Sequence, residues 1–142
     1  MKQMEPEEWR AFLDHGRRTA KLATVRSDGR PHLAPVWFVV DQDELVFMTG
    51  LSSVKGKNLS RDPRVMISVD EESFPYAFVL VQGTARIERL SPDELFPWSR
   101  RIAARYVGEE RADSYGRRNA IEGEVLVRVP LARVNAVSGV AD

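Results

Sequence analysis

The chain has 142 residues, with 21 Lys and Arg balanced by 21 Asp and Glu, and no cysteine. Zero formal charge argues against a nucleic-acid binder, which needs a cationic excess. The lack of thiols excludes disulfides, thiolate metal sites, iron–sulfur clusters and a cysteine nucleophile. With 43% apolar and 30% charged residues, 1–142 reads as a single folded domain.

Glu5-Pro6-Glu7-Glu8 opens an amphipathic helix with Trp9, Phe12 and Leu13 on one face, ending near His15-Gly16. Thr19 to Arg26 reads as a strand, Ser27-Asp28-Gly29-Arg30-Pro31 as a hairpin turn, and His32 to Asp41 as the return strand. Leu45 to Thr49 is the third strand. Ser52 to Arg61 reads as a short helix, capped by serine and closed by Asp62-Pro63. Arg64 to Asp70 and Tyr76 to about Glu88 are the fourth and fifth strands. Ser91-Pro92-Asp93-Glu94 starts a second helix that runs to about Gly108. Glu109 to Asn119 is a charged helix or an ordered loop. Glu124 to Val134 is a sixth strand, with Pro130 marking an edge.

Six strands in meander order with helices at the edges suggest a mostly β, antiparallel small barrel. Phe78 to Val81 are apolar on both faces, so a second subunit is expected to cover one of them. Coverage by the chain's own helices is the alternative. The longest apolar runs, such as Val36–Val40, are too short to span a bilayer, and no membrane insertion is expected. Met1 to Pro6 lacks a hydrophobic signal core, which points to a cytoplasmic protein.

His15 and His32 are the only histidines, and no cluster has the spacing of a zinc or non-haem iron site. His32 reads as a strand residue, not a general base. No serine sits on a glycine-flanked elbow, and neither a dinucleotide fingerprint nor a P-loop is present. Thr49 to Arg64 stands out: it carries Lys55, Lys57, Arg61 and Arg64 with Ser52, Ser53 and Asn58, opposed by Asp62. Hydroxyls and free amides at a helix start, beside lysines, make a phosphate pocket; a solvated basic face is the alternative. Pro35 lies within an apolar run and cannot donate to a ladder, so it marks an edge or bulge. Backbone groups there are open to the polar rim of a flat heterocycle. Trp37 and Phe38 read first as core.

The run Leu22-Ala23-Thr24-Val25-Arg26-Ser27-Asp28-Gly29-Arg30-Pro31-His32-Leu33-Ala34-Pro35-Val36-Trp37-Phe38-Val39 resembles the opening of the pyridoxamine 5'-phosphate oxidase-like split β-barrel flavoproteins. Thr49-Gly50, Lys55-Gly56-Lys57-Asn58-Leu59, Asp62-Pro63-Arg64-Val65, Val81-Gln82-Gly83-Thr84-Ala85 and Arg105-Tyr106-Val107-Gly108 match the same superfamily in order. The likeness is to the actinobacterial branch that uses the deazaflavin coenzyme F420 instead of FMN. It implies a six-stranded antiparallel split β-barrel of the FMN-binding type with flanking helices, paired as a homodimer around two cofactor grooves. By position, Ser52, Ser53, Lys55, Lys57 and Asn58 would hold the cofactor phosphate, with Arg61 close by. Ala23, Thr24, Pro35, Val36 and Trp37 would flank the ring, and Gln82 would lie near the groove.

The activity so implied is that of an F420H2-dependent reductase, passing a hydride to an activated alkene, quinone or related small molecule. An FMN-binding oxidoreductase of the same fold and a non-catalytic F420 or flavin carrier are the alternatives. No catalytic residue is assigned; the returning proton would come from solvent or from a tyrosine such as Tyr76 or Tyr106. Residues 134–142 lack the His and Arg of a vitamin B6 substrate segment, so that oxidation is not expected. Lysines and arginines around the pocket would suit a polyglutamate tail as well as a phosphate.

Overall fold

Helix starts in this chain are set by local caps. In the computed structural model, which describes residues 1–142, helix α1 spans Pro6–Asp14, and the Glu8 carboxylate accepts from the Glu5 amide at 3.1 Å. Helix α3 (Pro92–Val107) starts with a reciprocal pair: the Glu94 amide donates to Ser91 Oγ and the Ser91 amide to Glu94 Oε1. Helix α2 is Val54–Arg61 and α4 is Glu109–Asn119, so the charged stretch is helical.

The strands are β1 Lys2–Gln3, β2 Ala20–Val25, β3 Pro31–Val36, β4 Phe38–Asp41, β5 Glu44–Gly50, β6 Arg64–Glu71, β7 Ala77–Thr84, β8 Arg86–Glu88, β9 Glu124–Pro130 and β10 Val134–Ser138. They form two antiparallel sheets, ordered β1-β10-β7-β6-β2-β3 and β4-β5-β9-β8. All six expected strands are present, but two of them divide and change sheet. The run His32–Asp41 breaks at Trp37. There the Phe38 amide donates to the Tyr106 hydroxyl at 3.2 Å, and the Phe38 carbonyl accepts from Arg105 at 3.0 Å. The run Tyr76–Glu88 breaks at Ala85, whose amide donates to the Pro63 carbonyl at 2.8 Å. The sixth strand stops at Pro130, and Val134–Ser138 forms a separate strand along β7. These crossings split the barrel into two sheets.

The main core lies between the sheets, where Leu22, Phe38, Phe47, Ile67, Val79, Val81 and Val127 are buried. A smaller core, built from Val39, Val46, Leu95, Ile102 and Leu126, seals α3 onto the far face of the second sheet. That sheet is therefore buried on both sides, which explains its unbroken apolar runs, Phe38-Val39-Val40 and Leu45-Val46-Phe47. On the first sheet Val79 and Val81 face inward, whereas Phe78 and Leu80 face outward and are half-buried. No helix of the chain is long and apolar enough to cross a membrane.

Candidate cofactor site

The turn from β5 into α2 is held by Ser53. Its hydroxyl donates to the Gly50 carbonyl at 2.7 Å, accepts from the Gly56 amide at 3.0 Å, and lies 3.1 Å from the Thr49 hydroxyl. A Cβ on Gly56 would overlap the Gly50 carbonyl oxygen, so only glycine lets the helix lie this close to the end of β5. The Lys55 amide, second in the helix, has no backbone hydrogen bond to the preceding loop. Further along α2, the buried Asn58 donates to Thr24 Oγ1 at 3.0 Å and accepts from Arg61 at 2.9 Å, and Arg61 also donates to the Val25 carbonyl.

Lys55 and the serines of this turn border a cleft of about 560 Å³. One wall is Pro35, Val36 and Trp37 at the β3–β4 crossing; Met48, Thr49, Gly50, Ser52, Ser53 and Lys55 form another; Ser99, Ile102, Asn119 and Glu124 complete it. Trp37 is stacked on Tyr106 with centroids 5.1 Å apart and an interplanar angle of 5°, which fixes its ring. Lys55 and Glu124 are the charged side chains of the lining. Burial pushes the Glu124 carboxyl above its ordinary pKa, with the Lys55 charge opposing. Ser99 is committed to the Gly116 carbonyl at 2.8 Å.

The structure thus brings together Ser52, Ser53, Lys55, Pro35, Val36 and Trp37. Ala23, Thr24 and Gln82 lie elsewhere, in a groove of about 710 Å³ that also includes Val25, Arg64, Met66 and Arg133. Lys57 is exposed and lines neither cavity. Asn58 is buried with its amide engaged, so it positions α2 and is not open to a ligand. Instead of a spread of cations, the cleft has one ammonium and one carboxylate. Tyr106 is not an available proton donor: its hydroxyl accepts from Phe38 and donates to the Arg18 carbonyl at 2.8 Å, and burial raises its pKa. Tyr76 lines neither cavity. His32 is a strand residue whose buried Nδ1 has no partner, and burial, with Arg26 and Lys55 assisting, lowers its pKa. Glu124, Ser99 and Asn119 escaped sequence reasoning; the only trace of Glu124 was a charged residue leading an apolar strand.

The wider comparisons agree with this architecture. The chain superimposes on a conserved hypothetical protein from Mycobacterium tuberculosis with a TM-score of 0.81 and 28% identity, covering 98% of this chain and 91% of the other. A protein described as an F420 reductase matches with a TM-score of 0.69 and 28% identity, over 92% of this chain and 98% of that one. The heme storage protein HutZ from Vibrio cholerae shares the fold at 21% identity, with a TM-score of 0.71 over 99% of this chain and all of the other. The pyridoxamine 5'-phosphate oxidase family model matches residues 5–138. With the split sheets, the two strand crossings and the capped β5–α2 turn all in place, the chain belongs to the pyridoxamine 5'-phosphate oxidase family.

Proposed function

We propose that the cleft binds coenzyme F420 and that the protein is an F420H2-dependent reductase of small, activated acceptors. The supporting observation is that a single cleft joins the serine–lysine start of α2 to the Pro35–Trp37 wall. The donor set fits the ligand. The Lys55 amide and ammonium and the Ser52 hydroxyl suit a phosphate, and Pro35, Val36 and the fixed Trp37 ring offer a flat apolar wall. When bound, such a deazaflavin carries the reactive carbon and delivers the hydride. The chain's own part is to hold the phosphate, keep the ring against a rigid wall and exclude water on the side closed by Met48 and Ile102. Because Tyr106 is engaged, the proton that completes reduction comes from solvent.

The working unit in this reading is a homodimer. Leu33 and Met66 are 67% and 42% exposed on the first sheet, and a second copy would cover them and bring Ala23, Thr24 and Gln82 near a cofactor. The absorption spectrum of the purified protein, followed by fluorescence titration with F420 and FMN, tests the cofactor. Tight F420 binding with turnover of an acceptor panel supports the reading. FMN retained at one per subunit without F420 binding overturns it, and F420 binding without turnover leaves a carrier.

A further inference from the structure

We infer that Glu124 selects the class of phosphate ester that the cleft accepts, favouring a phosphodiester over a phosphomonoester. This rests on the cofactor reading above. Lys55 from α2 and Glu124 from β9 are the charged side chains of the lining, and the Glu124 carboxylate feels the Lys55 charge without a hydrogen bond or salt bridge to it. Glu124 stands opposite Gly50 in the β5–β9 pair. Its Oε1 lies 3.4 Å from where a Cβ on Gly50 would stand. Since the Gly50 carbonyl accepts from Ser53 at 2.7 Å, the carboxylate sits at the serine end of the cleft, where an anion would be held.

A purely cationic pocket holds a dianion best. One ammonium offset by one carboxylate weakens that preference, because the carboxylate repels a dianion more than a monoanion. A phosphodiester, as in F420, carries one charge, whereas a phosphomonoester such as FMN carries about −1.5 to −2 at neutral pH. The second charge repels a half-buried carboxylate that water screens poorly. Burial already disfavours the ionised form of Glu124, and a neighbouring dianion would disfavour it further.

Fluorescence titration at pH 8 of wild type, Glu124→Gln and Glu124→Asp with F420, FMN and riboflavin tests this. Riboflavin lacks the phosphate and reports ring binding alone. Glu124→Gln is expected to tighten FMN by roughly three- to tenfold. F420 should tighten by less, about two- to threefold, and riboflavin should stay within about twofold of wild type. Glu124→Asp keeps the charge and should keep the wild-type preference. An unchanged ratio of FMN to F420 affinity in Glu124→Gln overturns the role of Glu124 and leaves the cofactor reading standing. A wild-type chain that binds FMN more tightly than F420 overturns the inference without any variant. If no chain binds any of the three ligands, both readings fall.

Discussion

Asn58 and Thr24 share a hydrogen bond of 3.0 Å in which both side chains are buried, and it ties helix α2 to strand β2. The helix that presents Lys55 to the cleft is thereby fixed to the sheet that carries the second groove. Arg61 closes the same seam by bridging Asn58 and the Val25 carbonyl.

Replacing Asn58 by Ala leaves the Thr24 hydroxyl without its donor in a dry setting. The expected cost is about 1–3 kcal/mol of folding stability, read by urea denaturation. With Thr24→Val in the same chain the losses should be less than additive, because one interaction is counted twice. Full stability in Asn58→Ala would show that the seam does not hold α2.

Gly56 and Gly50 make a contrasting pair. A Cβ on Gly56 meets the Gly50 carbonyl and the Leu51 backbone, neither of which can rotate away. Gly56→Ala should therefore lose at least ~1–3 kcal/mol and weaken ligand binding, as overpacked sites do. A Cβ on Gly50 meets only the Glu124 carboxylate at 3.4 Å, an ordinary contact. Gly50→Ala should melt close to wild type, and equal melting temperatures for the two variants would contradict the close approach.

Lys55 and Lys57 lie two residues apart but differ in role. Lys55 lines the cleft, whereas Lys57 is exposed outside it. Lys55→Ala should weaken F420 by about ten- to a hundredfold, the loss of a charge-assisted contact worth ~1.5–3 kcal/mol. Lys57→Ala should have a much smaller effect. With cofactor saturating, turnover should be nearly normal in both. Equal losses of affinity would mean that the anion is held along the whole helix face.

Leu80 and Met66 face outward on neighbouring strands of the first sheet. In the proposed homodimer, Leu80→Glu or Met66→Glu should halve the mass seen by light scattering and lower cofactor affinity as well. A wild-type monomer with full cofactor binding would remove the basis for a shared groove.

Asp62 follows α2 and holds Arg64. Its carboxylate accepts from the Arg64 side chain at 2.6 and 2.9 Å and from the Arg64 amide at 3.2 Å, which lowers its pKa to about 2 from 3.8. A carboxyl whose folded-state pKa is depressed adds stability that is complete above its unfolded pKa and lost on acidification. This contribution should disappear as pH falls from about 4 toward 2, and Asp62→Asn should lack that part of the acid transition. A carboxyl chemical shift for Asp62 that titrates near 4 would contradict the interaction.

The sequence alone determined where helices start, because Ser53, Ser91 and the early prolines act within a turn of their own position. It also determined six strand runs and the serine–lysine segment, since alternation and capping are local patterns, whereas β1 and β10 form by pairing at the sheet edge. Only the tertiary structure decided where two strands change sheet. A chain that turns at Trp37 or Ala85 keeps its apolar pattern, and the groups that pin it, Tyr106, Arg105 and Pro63, lie far along the sequence. The same distance hid half of the site. Glu124 shares a cleft with Lys55 because β9 pairs with β5, and Asn58 is withdrawn from ligand because α2 packs on β2. Charge counted along a helix does not reveal which cations face a cleft or which carboxylate a neighbouring strand sets among them; that follows from pairing and burial.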